Sequence, residues 1–112
     1  MSEKGTFFVD EAQLHRCMQY MRLDADDREE RERVRPLYSA AVLYLRNAGI
    51  EWPGADATGI DNELYHLATH ALTLHYYDHR DSVGNESEIP NGLRPIINQL
   101  KLEADIKRIA SQ

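Results

Sequence analysis

A chain of 112 residues with 19 acidic and 13 basic side chains, a formal charge of −6, has room for one domain around one modest core. That balance disfavours a nucleic-acid-binding protein, whose affinity comes from clustered Lys and Arg, and the single cysteine, Cys17, excludes an intrachain disulfide or a Cys-rich zinc site and points to a reducing cytoplasm. The longest apolar run, "AAVLYL", is far too short to span a bilayer, and "MSEKGTFFVDE" lacks the apolar stretch of a signal peptide, so a soluble protein without membrane contact is expected.

In chain order, a short extended lead with Phe7 and Phe8, where residues 6–9 can pair locally at most, runs into Asp10, a suitable N-cap. Leu14, Cys17, Met18 and Met21 then recur at i, i+3, i+4, i+7, which predicts a first helix over 11–22 with a buried thiol. A second helix is predicted over 27–48, with Asp24 or Asp26 as its cap, Gly49 as its stop and a buried stripe of Val34, Leu37, Tyr38, Ala41, Leu45 and Ala48. Pro36 lacks an amide donor and should kink that helix or restart it.

"GIEWPGADATG" is a loop, with Thr58 and Asp61 resembling a capping pair for a third helix over 62–80. Leu64, Leu67, Ala68, Ala71, Leu72 and Leu74 make it the most apolar helix and hence the central one, with Leu67 and Leu72 on its buried face. After the polar exit "DSVGNESE", Pro90 and Gly92 turn the chain into a last helix near Pro95, whose Leu93, Ile97, Leu100 and Ala104 form one stripe. Leu102, Ile106 and Ile109 form a second stripe about 180° away, and one core cannot bury both. Either the helix breaks near Lys101 or the second stripe waits for a partner. The expected class is all-α, a bundle of about four helices with a kinked second helix and a C-terminal helix. Residues 1–101 are expected to form the domain and 102–112 a tail that either docks on a partner or frays as a terminus with scattered apolar residues.

Histidine is the first candidate for chemistry, because His66 and His70, and again His75 and His79, stand four apart. The two pairs are offset by nine residues, about 900° of helical rotation, so they face opposite ways and no four-histidine site can form in one helix. His66 and His70 are expected on the polar surface, and the "LAT" between them lacks the glutamate base of a metalloprotease motif. His75 falls among Leu64, Ala68 and Ala71, where a neutral ring bonded to a backbone carbonyl is expected. A small helical metal-binding protein or enzyme using His66, His70 or His79 is the alternative function, and a regulator binding one host protein is another. The acids around Arg28, Glu29, Arg31 and Glu32 are interleaved with arginines, which predicts a solvated, ion-paired face and secondarily a contact between subunits. No phosphate loop, nucleophile elbow or catalytic Cys/His arrangement is present. At the end of the third helix Tyr77 can cover the core while Arg80 answers the last carbonyls.

This order of elements resembles the small head-tail connector, or adaptor, proteins of long-tailed bacteriophages, also labelled possible DNA-packaging proteins. The resemblance lies in "CMQYMRLDADD", in the longer helix "LYSAAVLYLRNAG", in Tyr77 and Arg80 as a Tyr-x-x-Arg helix end, and in Pro90, Gly92, Leu93 and Ile97 after an acidic loop. It covers about residues 7–101. The elaborate "GIEWPGADATG" loop and the tail beyond Lys101, where many relatives stop, depart from it. It implies a virion structural protein without enzymatic activity or cofactor, from a phage or prophage. Such a protein forms a self-associated ring of about twelve subunits beneath the portal protein and above a tail-completion or stopper protein. Its place is the virion head-tail junction, reached from the host cytoplasm during assembly, and DNA passes through its acidic channel without specific binding.

Overall fold

The computed structural model describes residues 10–51, 60–79, 89 and 91–110. Within them the chain forms α1 (Glu11–Tyr20), α2 (Arg28–Asn47), α3 (Ile60–Asp78), a 3-10 turn (Asn91–Leu93) and α4 (Arg94–Ala110), with no strand among these residues. The all-α class and the bundle of four helices follow as expected. Phe7, Phe8, Thr58, Arg80, Pro90 and "DSVGNESE" lie outside the described residues.

Each early boundary has a local chemical cause. Asp10 caps α1, its Oδ1 accepting from the amides of Ala12 at 2.9 Å and Gln13 at 3.4 Å. The cap of α2 is Asp27, not Asp24 or Asp26: its Oδ1 accepts from the amide of Glu30 at 3.2 Å. Asp24 instead accepts from the Asp26 amide at 3.0 Å and shapes the turn that leads in.

Both α1 and α2 end in the same doubly bonded cap, in which two amides beyond the helix reach back to its last carbonyls. After α1, Leu23 N bonds Met18 O at 2.9 Å and Arg22 N bonds Gln19 O at 3.0 Å. After α2, Ile50 N bonds Leu45 O at 2.8 Å and Gly49 N bonds Arg46 O at 3.0 Å. The motif needs a left-handed residue, which Gly49 supplies at φ +89°. In α1 the same position is held by Arg22 at φ +64°, where a Cβ costs about 1 kcal/mol. Arg22→Gly is therefore expected to raise stability by roughly 0.5–1 kcal/mol in urea unfolding. A loss of stability would show that the Arg22 side chain has a role beyond closing the helix.

The buried residues form two adjoining groups that share α2. Leu14, Cys17 and Met18 of α1 and Met21 just beyond it pack with Ala25, Val34 and Tyr38, while Ala41, Leu45, Ile50, Tyr65, Ala68, Leu72 and Tyr76 pack with Ile89, Leu93, Ile97 and Leu100. α3 is the central helix, touching α1, α2 and α4. Pro36 lies inside α2, which runs from Arg28 to Asn47 as one helix, so the proline removes an amide donor without restarting the helix.

The face of α3 is rotated from the one its leucines predict. Leu67 is 39% exposed, and Leu64, Ala71 and Leu74 are only half-buried. The inner face is Tyr65, Ala68, Thr69, Leu72, Thr73 and Tyr76. The threonines enter because their hydroxyls donate one turn back, Thr69 Oγ1 to Tyr65 O at 2.8 Å and Thr73 Oγ1 to Thr69 O at 2.7 Å. With that bond made, each hydroxyl is satisfied within its own helix and the side chain can be buried.

α4 passes Lys101 without a break and continues to Ala110. Its first stripe is the expected one: Leu93, Ile97 and Leu100 are buried and Ala104 is half-buried.

Candidate functional site

The charged stretch at the start of α2 is organised by a residue that its own sequence neighbourhood does not contain. Glu11, the first residue of α1, accepts from Arg31 Nη2 at 2.8 Å and from both terminal nitrogens of Arg35. The guanidinium of Arg35 holds the Glu11 carboxyl below the usual carboxylate range, Arg31 adds to the effect, and Arg35 is raised in turn by Glu11 and then Glu32. Arg35 also meets Glu32 at 3.2 Å, and Arg31 Nη1 donates to Ala25 O at 3.2 Å across the α1–α2 turn. Glu11 is 53% exposed at its side chain, so each pair contributes at most about 1 kcal/mol. The expected ion-paired face is present, but it clamps α1 to α2 within one chain.

Of the residues expected on this contact face, Arg31 and Glu32 thus have partners inside the molecule. Arg28 and Glu29 are exposed, and Arg28 lines an open cleft with His15, Asp26 and Glu32. Tyr77 is half-buried against the α1 group of the core, and its hydroxyl donates to the Glu30 carboxylate, whose other oxygen accepts from Arg33 at 2.8 Å. Tyr77 therefore ties the end of α3 to the start of α2. Arg80 lies outside the described residues.

The histidines differ from expectation in two ways. His70 is buried, with 9% of its surface exposed, and His66 is half-buried, so neither is a free surface side chain. The His70 ring lies 5.7 Å from that of Tyr20 at the junction of α1 and α3, and its Nε2 is buried without a hydrogen-bond partner. Burial, reinforced by the charges of His66 and Arg16, pushes the His70 imidazole down to about 4. Burial and Arg16 lower His66 as well, against a smaller opposing effect of Asp10. The ring that meets a backbone carbonyl is His79, whose Nδ1 is 3.1 Å from His75 O, whereas His75 Nε2 is buried without a partner. The rings of His75 and His79 stack at 4.7 Å, those of His66 and His70 lie 6.1 Å apart, and among the described residues no three His, Cys, Asp or Glu side chains gather as metal ligands. Cys17 is fully buried, with Sγ 3.8 Å from Met21 Sδ, and burial pushes its thiol up to about 12.

Among the described residues the second stripe of α4 holds the most exposed large apolar side chains. Leu102, Ile106 and Ile109 are 54%, 56% and 68% exposed on a helix that has already left the core. A second apolar feature is a shallow groove where the end of α1, the middle of α3 and the start of α4 meet, lined by Tyr20, Leu67, Ala71, Gly92, Leu93 and Ile96. Tyr20 and Leu67 both stand more than a third exposed on it. The tail expected to dock is thus exposed, and sequence reasoning missed both the groove and Glu11.

No protein-family model, no curated protein and no solved structure matches this chain. No helix among the described residues is long and apolar enough to cross a membrane.

Proposed function

We propose that this protein is a non-enzymatic subunit of a ring-shaped connector, seated beneath a portal protein and joining capsid to tail with a stopper protein below. The observation that supports it best is the unbroken α4, which carries Leu102, Ile106 and Ile109 past the last buried side chain and leaves them facing solvent. A monomer gains nothing from three large apolar side chains in water, whereas a repeated ring contact gains roughly 1.5–3 kcal/mol from each before ordering costs. The ordered helix motifs that resemble head-tail connectors give the ring its setting, and the net charge of −6 suits a channel along which DNA slides without being held.

Deleting residues 102–112 is expected to remove the helical signal of that segment, leave the remaining domain melting within a few degrees of the full chain, and weaken ring assembly or capture by the cognate portal by at least about tenfold. Leu100, the last buried residue of α4, stays in place. A truncated protein that assembles and binds portal normally, or one that unfolds, refutes the docking role. Failure of the intact protein to bind portal refutes the connector reading itself.

A further inference from the structure

The larger of the two core groups joins α2, α3 and α4 and takes no residue from α1, whereas Leu14, Cys17 and Met18 of α1 belong to the smaller one. Losing α1 would leave the larger group closed. α1 is held at two ends by different chemistry. Its first turn is clamped to α2 by Glu11, whose carboxyl Arg35 and Arg31 hold below the usual range, so that clamp stays charged in mild acid. Its second half lies on α3, where the Cys17 thiol meets the Thr73 hydroxyl and the Tyr20 ring meets His70.

The contact with α3 is the one that acid can reach. His70 is buried there, and its Nε2 has no hydrogen-bond partner among the described residues. From α1 it is faced by Arg16 and Tyr20, and from its own helix by His66, while Asp10 of α1 acts on His66. α4 reaches this junction beside Tyr20 with the apolar Leu93 and Ile96. α2 packs against Leu72, about 160° round α3 from His70. A proton on the buried ring would therefore be a charge without an acceptor, next to a second histidine and an arginine, and uncovering the ring to water relieves its cost.

We infer that His70 is an acid-operated latch: its protonation lifts the second half of α1 off α3, while Glu11 keeps the first turn on α2 and the α2–α3–α4 core stays folded. The inference goes beyond the connector reading and stands without it. Because the covered ring takes up its proton only near pH 4 and an uncovered one near 6.5, the population of the open form should rise about 30-fold between pH 7.5 and pH 5. His66, lowered in the same way, adds to the rise. Global unfolding uncovers the same ring and gains by the same factor, so what marks the latch is that a single helix moves.

Cys17 is the single cysteine and is fully buried against α3, so its reaction with 4,4′-dithiodipyridine, taken relative to a peptide of residues 11–22 at the same pH, reports the opening. At pH 5 the relative rate is expected to be about 30 times that at pH 7.5. It should also respond to low urea with less than about half the slope of the unfolding transition seen by circular dichroism, since freeing one helix exposes less surface than unfolding the domain. His70→Phe keeps a ring against Tyr20 but cannot titrate, and should reduce the rise to a few-fold. Arg16→Glu, at an exposed position of α1, offers the imidazolium a carboxylate and should reduce it as well, which keeps the test open if the buried substitution fails to fold. Hydrogen exchange of the native chain needs no variant: at pH 5 the amides of residues 14–20 should lose protection, while those of α3 and α4 exchange only through global unfolding. A labelling rate that does not rise means that α1 stays seated, and a rise with the full urea slope means that the domain opens as a whole; either overturns the inference. So does an equal rise in every variant that folds, which would assign the proton to another group.

Discussion

Leu72→Asp is expected to abolish the cooperative fold. Leu72 has no exposed surface and sits where α3 meets Ala41 and Leu45 of α2, between its own Ala68 and Tyr76. Truncating a buried leucine costs about 2–5 kcal/mol, and an unpaired carboxylate in the space adds a desolvation cost of several more. A domain of this size is stable by about 5–15 kcal/mol in all, so the sum reaches the whole. Far-UV circular dichroism and thermal melting measure it: the variant should lack a transition at neutral pH. Leu67→Asp on the same helix is the control. Because Leu67 is substantially exposed, that change should cost no more than about 1 kcal/mol. Native-like melting of Leu72→Asp, or unfolding of Leu67→Asp, would mean that the inner face of α3 is assigned wrongly.

Stability should also fall steeply between neutral and mildly acidic pH, and His70 should be the main cause. Its ring is buried against Tyr20, with His66 and Arg16 nearby, and takes up a proton in the fold only near pH 4, against about 6.5 in the unfolded chain. Between those values the unfolded chain binds the extra proton, so its contribution is fully present above about pH 6.5 and is lost as pH falls toward 4. At pH 5 the loss is about 2 kcal/mol. His66, shifted in the same direction, adds to it. Urea unfolding at pH 7.5 and pH 5 measures the drop, and His70→Phe, which keeps a ring in place but cannot titrate, should remove about 2 kcal/mol of it. An equal drop in both proteins would assign the acid sensitivity elsewhere.

The burial of His70 was not legible in the sequence, and the reason is the same one that hid the face of α3. Periodicity reads a helix as having one apolar side and one polar side. α3 is packed by α1, α2 and α4 together, so little of it is left for solvent, and which residues fall between neighbours depends on where those neighbours lie. Leucine content therefore pointed to Leu67, while two threonines, made compatible with the core by bonding their own helix, took the inner positions. His70 went inside because α1 closes over it with Tyr20.

Charge shows the same division. The i, i+3 pairs Arg33–Glu30 and Arg35–Glu32 follow from spacing along α2. The contacts of Arg31 and Arg35 with Glu11 do not, since nothing in either segment marks the other as its neighbour.

By itself the sequence determined the helical class, the Asp10 cap, the Gly49 stop, the α1 stripe of Leu14, Cys17 and Met18, and the two opposed stripes of α4. These rest on interactions within a few residues of chain: a side chain reaching a nearby amide, a backbone turn only glycine enters without strain, a repeat of 3.6. Only the tertiary structure decided that Leu67 faces out and His70 in, that Glu11 joins α1 to α2, and that the second stripe of α4 is left to solvent. Each of those depends on which helix lies beside which, and burial and long-range pairing are set by neighbours that local pattern does not specify.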